Sequence, residues 1–338
     1  MEETEIGHKS ISKYLNIPIF WVEDIRLLPH GELPDLRISF LVGFSVYQHQ
    51  FPTDADKTPF IFAHEFFDAL PINAFQSVPP SPENQPQEVM NPAGSTKTHQ
   101  PLSSSQVKNT PQWRELMVTL NSTAEEENIQ SEPEFKLTLA KASTPTSLVI
   151  PEISERYKAL KSQPGATIEI SPEGRIYAAE FARRIGGSAA APTKRSPSGA
   201  ALIMDYGPLD TIPINSLRGI REHRTVPPLS APGQVDVSAD VDFTALAEAA
   251  IEASEGVEVH GPVEQGDFLQ AMGIAERMQQ LLRKVPDEAK RKNLESAWQR
   301  LTERGGGGMG KLYKVMAIIP ENDGRRRPVG FGGGLHEG

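Results

Sequence analysis

Two carboxylates and a histidine stand together where one short apolar stretch of the chain ends. His64, Glu65 and Asp68 follow residues 60–63, whose small and apolar side chains predict a short strand buried on both faces. Open α/β sheets place their chemistry at the ends of such strands. Because Glu65 and Asp68 are three residues apart, both carboxylates can point into one crevice, with the two phenylalanines between them packed behind. The pair is therefore a candidate site for a cation.

The same side chains have simpler interpretations, which spacing alone leaves open. An acidic residue at the start of a helix satisfies free backbone N–H groups and complements the helix dipole without any further function. His64, Glu65 and Asp68 can also be read as ligands of a hydrolytic metal ion, but no other residue at ligand spacing accompanies them. The eight histidines of the chain form no H-E-x-x-H motif.

The composition narrows the class of protein. The formal net charge of −10 argues against non-specific nucleic-acid binding, which needs Lys and Arg to neutralise phosphates, and suits a basic partner. The chain has no cysteine, which excludes disulfides and thiolate zinc sites. No apolar run approaches the roughly 18 residues that span a bilayer. Residues 1–5 are acidic, unlike a signal peptide or a mitochondrial presequence, so no targeting segment is visible.

The pattern along the chain predicts an α/β core with inserted segments. A second strand signal, residues 17–21, precedes the first, and residues 113–120 and 134–141 are expected to pair as an antiparallel meander inserted after a helix that follows residue 64. Pro, Ser, Gln and Asn dominate the stretch between the core and the meander, which is expected to be disordered. The expected division is core 1–76 with an insertion at 32–57, disordered loop 77–112, remaining domain 113–319 with an inserted substrate region, and disordered tail 320–338.

The second half of the chain carries helix signals and a last strand. Ser171, Pro172 and Glu173 have the residue types that open a helix, which is expected to end at residues 186–187. Two C-terminal helices are predicted over residues 274–284 and 287–303, and a final strand over residues 313–319, as the antiparallel edge of the sheet. The helix that opens at residues 171–173 is expected to have an inward face of Ile176, Ala179, Ala182 and Ile185.

Polar residues also end the buried strand predicted over residues 199–205. Asp205 and Tyr206 either line the crevice beside Glu65 or form a turn that terminates the strand. Further along, Asp242 precedes an alanine-rich helix and is explained as its cap. Asp240 has no such explanation.

Several of these segments together resemble one protein family. The sequence H-E-F-F-D-A-L-P at residues 64–71 resembles the signature (N/H)EFFDALP of the MidA-like family. The family's I-x-W motif, its D-Y-G, its R-G followed by a histidine, and its ADVDF motif also have counterparts here. These matches lie at residues 19–25, 205–207, 218–223 and 239–243.

The resemblance implies a fold, a cofactor and site residues. The implied fold is a partial, doubly wound S-adenosylmethionine-dependent methyltransferase sheet with an inserted antiparallel meander and C-terminal helices. Residues 1–76 would then be a remnant of the methyltransferase core. Asp24 is the candidate contact to the adenine of the cofactor, although a turn or cap aspartate fits it as well. The implied catalytic residues are Glu65, Asp68 and His64, and the implied substrate-binding residues are Asp205, Tyr206, Arg218, His223 and Asp240.

The resemblance also implies a function. Eukaryotic MidA-like proteins are mitochondrial protein arginine methyltransferases that assist assembly of respiratory complex I, so the expected activity is symmetric dimethylation of a basic complex I subunit. The family's principal cofactor loop, a glycine-rich strand–loop–helix, has no counterpart before residue 17, and weak or no cofactor binding is expected. The alternative is a non-catalytic assembly or scaffold protein. Residues 32–57, absent from the family pattern, are either a functional loop or retained non-coding sequence.

Overall fold

The computed structural model describes residues 58–80, 110–121, 134–187, 196–305, 307–325 and 327–333 in full, and before residue 58 the backbone of strands alone. Over this part of the chain the contacts divide into two compact units. The first unit comprises residues 1–70, 173–211 and 240–338, and the second comprises residues 71–172 and 212–239.

Strands and helices are numbered here in chain order. The strands are β1 (Glu2–Thr4), β2 (Gly7–Ile11), β3 (Pro18–Val22), β4 (Ser39–Val42), β5 (Ser45–Gln48), β6 (Phe60–His64), β7 (Asn73–Val78), β8 (Gln112–Leu120), β9 (Phe135–Leu139), β10 (Thr167–Ile170), β11 (Ala200–Tyr206), β12 (Arg218–Arg221), β13 (Arg224–Val226), β14 (Asp236–Ser238), β15 (Val257–Glu264) and β16 (Tyr313–Pro320). The α-helices are α1 (Pro145–Val149), α2 (Glu155–Lys161), α3 (Pro172–Gly186), α4 (Phe243–Ala253), α5 (Gln265–Ala271), α6 (Ile274–Lys284) and α7 (Glu288–Thr302).

The first unit is built on a mixed sheet, as the sequence predicts. Its strand order is β1-β2-β3-β5-β4-β6-β11-β16-β15. Strand β6 lies parallel to both β4 and β11, whereas β16 lies antiparallel to β11 and β15. The prediction that the last strand is antiparallel is confirmed. Its placement at the edge is wrong, because β15 pairs along its other side.

The strand that precedes Glu65 has one covered face, not two. Ile61 and Ala63 are buried in a cluster with side chains of α3 and α4. Phe60 and Phe62 are 46% and 39% exposed. Successive side chains of a strand point to opposite faces, and α3 and α4 cover only the face of Ile61. The prediction of burial on both faces is therefore wrong for the part of the chain that is described.

Helix α3 has the predicted bounds and part of its predicted inward face. It begins after Ser171 and ends at Gly186, close to the predicted ends. Ala182 and Ile185 are buried as predicted, whereas Ile176 is 42% exposed and the buried face extends instead to Tyr177 and Phe181. The two aromatic rings fill more space against the sheet than an isoleucine and so decide which face turns inward.

A segment expected to be a disordered tail packs on the other face of the sheet. Phe331 is 9% exposed and forms a cluster with Phe268 of α5 and with Val315 and Ala317 of β16. The rings of Phe268 and Phe331 are 5.4 Å apart. Within residues 320–338 the expectation of a disordered tail is therefore wrong around Phe331, since one aromatic side chain buries enough apolar surface to anchor a short segment. Residues 334–338 lie outside the described part.

The second unit contains the predicted antiparallel meander. Its main sheet has the order β10-β7-β8-β9, and every neighbouring pair is antiparallel. The core beneath it consists of Phe75, Trp113, Tyr157, Ile168 and Ile170. A smaller sheet, β13-β12-β14, belongs to the same unit.

Two predicted irregular segments are only partly described. Strand β7 runs to Val78 and β8 begins at Gln112, so the ends of the expected loop 77–112 are strand residues, and residues 81–109 lie outside the described part. Within the expected insertion 32–57, β4 and β5 pair with each other, and β4 continues the sheet beside β6.

Candidate functional site

The segment after β6 is a tight turn rather than a helix. Its backbone leaves the sheet at Glu65, whose N–H still donates to the carbonyl of Met204 on β11 at 3.1 Å. Glu65 has φ of 47°, a left-handed conformation that is unfavourable for a residue with a Cβ. Residues 65–70 form bends and turns, so the predicted helix after residue 64 is absent from this described segment. Backbone strain of this kind is typical of functional turns.

Asp205 holds this turn through its backbone. One carboxylate oxygen of Asp205 accepts hydrogen bonds from the N–H groups of Phe66 at 3.1 Å, Phe67 at 2.8 Å and Asp68 at 3.4 Å. The other oxygen accepts from the N–H of Tyr206 at 2.9 Å. These bonds replace the intrahelical bonds that the turn lacks. The acceptor, Asp205, belongs to β11, which is the neighbour of β6 in the sheet. The turn is therefore fixed by β11 rather than by its own sequence.

The position of Asp205 corrects its expected role in the crevice. Its exposed fraction is 0%, and backbone N–H groups occupy both carboxylate oxygens. Burial, with the nearby charge of Asp68, raises the pKa of Asp205 well above its usual range, although its hydrogen bonds act in the opposite direction. A side chain in this state supports the turn and does not present a free carboxylate to a substrate.

The two phenylalanines of the turn anchor it to the core, as predicted. Phe66 and Phe67 are both buried. Phe66 packs edge-on against Tyr177 of α3 with ring centres 4.9 Å apart, and Phe67 packs edge-on against Phe181 at 6.0 Å. Edge-to-face pairs of this kind contribute stabilisation beyond that of the apolar area they bury. The acids on either side of the phenylalanines are thereby held at the end of the sheet.

Glu65 and Asp68 have different surroundings. Asp68 is buried, with 8% of its surface exposed, and its charge acts on Asp205. Glu65 is half-buried, and its carboxylate oxygen Oε1 accepts a hydrogen bond from the hydroxyl of Tyr313. Glu65 therefore contacts Tyr313, whereas the charge of Asp68 acts on Asp205.

Tyr313, which the sequence analysis does not single out, connects three predicted site residues. Its hydroxyl contacts the carboxylate of Glu65 and the hydroxyl of Tyr206. Its ring lies 4.0 Å from that of Tyr206 and is stacked 6.1 Å from that of His64. Burial and these hydrogen bonds raise the pKa of Tyr313 far above its usual range, so its hydroxyl keeps its proton.

Strand direction explains why sequence patterns miss Tyr313. Candidate site residues were expected after the ends of strands, whereas Tyr313 is the first residue of β16. Because β16 is antiparallel to β11, its beginning lies beside the end of β11, and Tyr313 is the register partner of Tyr206. An aromatic residue at the start of a predicted antiparallel last strand was the available signal.

Asp240 lies in the same unit but has a different electrostatic partner. The N–H of the next residue, Val241, donates to the carbonyl of Tyr206 at 2.9 Å, which ties this segment to the end of β11. Lys314 on β16 is buried, and burial lowers its pKa while the charges of Glu264 and Asp240 raise it. Asp240 thus helps to keep a buried ammonium group charged.

The remaining predicted residues lie elsewhere in the chain. Arg218 begins β12 in the second unit, and its guanidinium donates to the carbonyl of Ser216 at 3.2 Å. His223 is exposed in the turn between β12 and β13, with φ of 60°. Asp24 lies outside the described residues. Among the residues that are described, no group of three or more His, Asp or Glu side chains is arranged to hold a metal ion.

Much of this sequence matches the model of one protein family. A family model described as "Putative S-adenosyl-L-methionine-dependent methyltransferase" matches residues 34–263 of this chain. The match covers more than half of the sequence, and the chain belongs to this family. None of the described helices is both long enough and apolar enough to cross a membrane.

Curated relatives share most of this chain at low identity. The chain is 28% identical over 332 residues to "Protein arginine methyltransferase NDUFAF7, mitochondrial" of Rattus norvegicus, which covers 98% of this chain and 55% of the relative. The protein of the same name from Homo sapiens is 26% identical over 304 residues, covering 90% and 49%. The chain spans about half the length of the curated relatives it matches.

Two solved structures also match. A crystal structure of a superfamily member from Burkholderia thailandensis bound to S-adenosyl-homocysteine has a TM-score of 0.48 and 18% identity, over 82% of this chain and 55% of the other. A native crystal structure of an uncharacterized protein from the same organism has a TM-score of 0.48 and 19% identity. It covers 82% of this chain and 57% of the other.

Two of the described strand-to-helix connections lack the glycine-rich turn that would hold the family's cofactor. Such cofactors are held where a glycine-rich turn joins a strand to a helix. In the described part of the chain, β10 joins α3 through Ser171, and β14 joins α4 through residues 239–242, and neither connection contains glycine. The glycine-rich residues 305–310 follow a helix, and a Cβ on Gly310 would lie 2.2 Å from the carbonyl oxygen of Thr302. Gly308 and Gly310 therefore allow close packing of the chain against itself.

Proposed function

We propose that this chain acts in protein arginine methylation, with Glu65 as the carboxylate that binds the guanidinium of the substrate. Family membership and the names of the relatives support the reaction. The observation that carries the assignment of Glu65 is its geometry: a half-buried carboxylate at the end of β6, in a left-handed backbone conformation, with one oxygen held by Tyr313.

The chemistry of arginine explains why a fixed carboxylate is needed. The guanidinium has a pKa above about 12 and a delocalised charge, so it is a weak nucleophile until one nitrogen is oriented toward the methyl donor. A fixed carboxylate oxygen that accepts from an N–H group of the planar fork provides that orientation. The family's cofactor supplies the methyl group, while the residues of this chain bind and orient the arginine. The net charge of −10 suits such a cationic substrate.

Other side chains are assigned supporting roles in the proposal. The methylated nitrogen must lose a proton, and His64, whose ring is stacked against Tyr313, is the proposed acceptor. Asp68 is proposed to add negative charge behind Glu65, and Tyr206 to contact the substrate. Asp240, Arg218 and His223 are proposed to bind other parts of the substrate, and Asp24 to bind the adenine of the cofactor.

The proposal extends to location and substrate. The relatives carry mitochondrial names, and the resemblance to the MidA-like family points to a basic subunit of respiratory complex I. We therefore propose a mitochondrial location and symmetric dimethylation of an arginine in such a subunit.

A methyl-transfer assay tests the assignment of Glu65. Labelled S-adenosyl-L-methionine and a basic protein substrate are incubated with the wild-type chain, with Glu65→Ala and with the control Glu252→Ala, whose carboxylate is mostly exposed on α4. Loss of one group that stabilises the transition state lowers turnover by about 100-fold or more, so Glu65→Ala is expected to lose turnover to this extent and the control to keep it. Measurable turnover that is equal in all three proteins would remove Glu65 from the mechanism, whereas absence of turnover in the wild type would count against the enzymatic function itself.

One observation favours a second candidate, a non-catalytic assembly protein that binds the basic partner. The described connections between β10 and α3 and between β14 and α4 contain no glycine. Calorimetry with S-adenosyl-L-methionine separates the two functions. Binding together with methyl transfer supports the enzyme. Retention of a basic complex I subunit without cofactor binding supports the assembly protein.

A further inference from the structure

Tyr313 is the best-placed side chain for which the proposed reaction has no role. It is 1% exposed, so its ring is fixed by packing at the start of β16. Its hydroxyl reaches the carboxylate of Glu65, a residue 248 positions away in the sequence. The hydroxyl also contacts Tyr206, and the ring is stacked against that of His64. Both are predicted site residues.

We infer that Tyr313 is a positioning residue that acts through Glu65: its hydroxyl holds one carboxylate oxygen so that the other oxygen stays available to a guanidinium. The inference rests on the proposed function and names a residue that determines how the arginine is oriented. Tyr313 itself does not touch the substrate.

The proton count supports this arrangement. A tyrosine hydroxyl carries one proton, and Tyr313 lies between two oxygen atoms that can accept it. The carboxylate of Glu65 is an acceptor only, whereas the hydroxyl of Tyr206 can also donate. Tyr313 therefore donates to Glu65 and accepts from Tyr206, which gives an ordered chain from Tyr206 through Tyr313 to Glu65. The carboxylate is the end of this chain, where the charge-assisted bond is strongest.

Holding a glutamate before the substrate arrives has a physical advantage. A free glutamate side chain samples many rotamers and loses that freedom when it binds a cation. In Glu65 the left-handed backbone fixes one end of the side chain and Tyr313 fixes the other. The remaining carboxylate oxygen is thus oriented in advance, which favours selection of one guanidinium nitrogen.

A thermodynamic cycle separates positioning from a purely structural role. Calorimetry measures the affinity of a short glycine-rich peptide with one central arginine for the wild type, Tyr313→Phe, Glu65→Ala and the double variant, and the same peptide with citrulline shows how much depends on the charge. Tyr313→Phe keeps the ring and removes only the hydroxyl. The loss of one hydrogen bond to a charged group predicts about tenfold weaker binding of the arginine peptide. In the Glu65→Ala background the same change is expected to have no further effect.

The control is Tyr157→Phe, which removes a hydroxyl from a tyrosine with 0% exposure in the core of the second unit. It is expected to leave peptide affinity unchanged. Circular dichroism of all variants shows whether each one folds. If Tyr313→Phe does not fold, Glu65→Asp supplies the second measurement. The shorter side chain keeps the charge but withdraws the carboxylate from the Tyr313 hydroxyl, so about tenfold weaker binding of the arginine peptide is expected, and unchanged affinity overturns the inference.

The outcomes distinguish this inference from the proposed function. An equal loss of affinity with and without Glu65, or no loss in Tyr313→Phe, overturns the inference even if methyl transfer is observed. The predicted coupling without any methyl transfer keeps the inference and overturns the enzymatic function. A wild type that binds the arginine and citrulline peptides equally overturns both.

Discussion

Substitution of Asp205 by alanine tests whether β11 holds the turn at residues 65–70. The change removes an acceptor of four backbone N–H groups, three of them at 2.8 to 3.1 Å and the fourth at 3.4 Å. A buried donor left without an acceptor costs about 1–3 kcal/mol. The full sum is not expected, because water can enter the space and the repulsion with Asp68 is relieved. A net loss of about 3 kcal/mol in the local opening free energy of the turn follows from these opposing effects.

Hydrogen exchange measures this opening directly. A loss of about 3 kcal/mol corresponds to roughly 100-fold faster exchange of the amides of Phe66 and Phe67. The matched control is Asp242→Ala, which removes a single cap bond to the N–H of Ala245 at 3.1 Å. It is expected to cost about 1 kcal/mol and to accelerate exchange in the first turn of α4 alone. If the amides of Phe66 and Phe67 exchange no faster in Asp205→Ala than in the control, Asp205 does not hold the turn.

Three further predictions concern the same end of the sheet. Glu65→Gly is expected to be about 1 kcal/mol more stable than Glu65→Ala in thermal unfolding, because glycine accepts φ of 47° without the Cβ clash; equal stabilities would show that this backbone is unstrained. Because the folded-state pKa of Asp205 is raised, its contribution to stability is present below the unfolded pKa of about 3.9 and is lost as pH rises through the raised value. Melting temperatures should therefore shift in favour of Asp205→Asn from about pH 4 upward, and parallel pH profiles would contradict the raised pKa. Gly207→Ala places a Cβ 2.4 Å from the carbonyl oxygen of Val241 and is expected to lower the melting temperature, whereas Gly233→Ala, with no atom within 4 Å of the added Cβ, serves as the control.

Local patterns predicted several elements because neighbouring residues determine them. The end of β6, the bounds of α3 and the cap of α4 at Asp242 were predicted from the types of adjacent side chains. The antiparallel pairing of β8 with β9 was predicted from the strand-like pattern of each segment. The placement of Phe66 and Phe67 behind the acids follows from the same local alternation. These predictions are confirmed.

Predictions that depended on which elements pack together were less successful. Burial of both faces of β6 required a cover on the side of Phe60, and the described helices α3 and α4 lie on the other side. The edge position of β16 required that no strand pair beyond it, but β15 does so. Strand order and layer assignment arise from long-range pairing, which residue types within one segment do not encode.

The sequence by itself determined that a strand ends at His64, that acids follow it, and which family the signature resembles. Only the tertiary structure decided what each acid does. Parallel pairing brings Asp205 to the backbone of the turn, and antiparallel pairing brings Tyr313 to Glu65. A carboxylate becomes a support or a ligand according to the donors around it, and those donors come from strands that only the completed sheet places side by side.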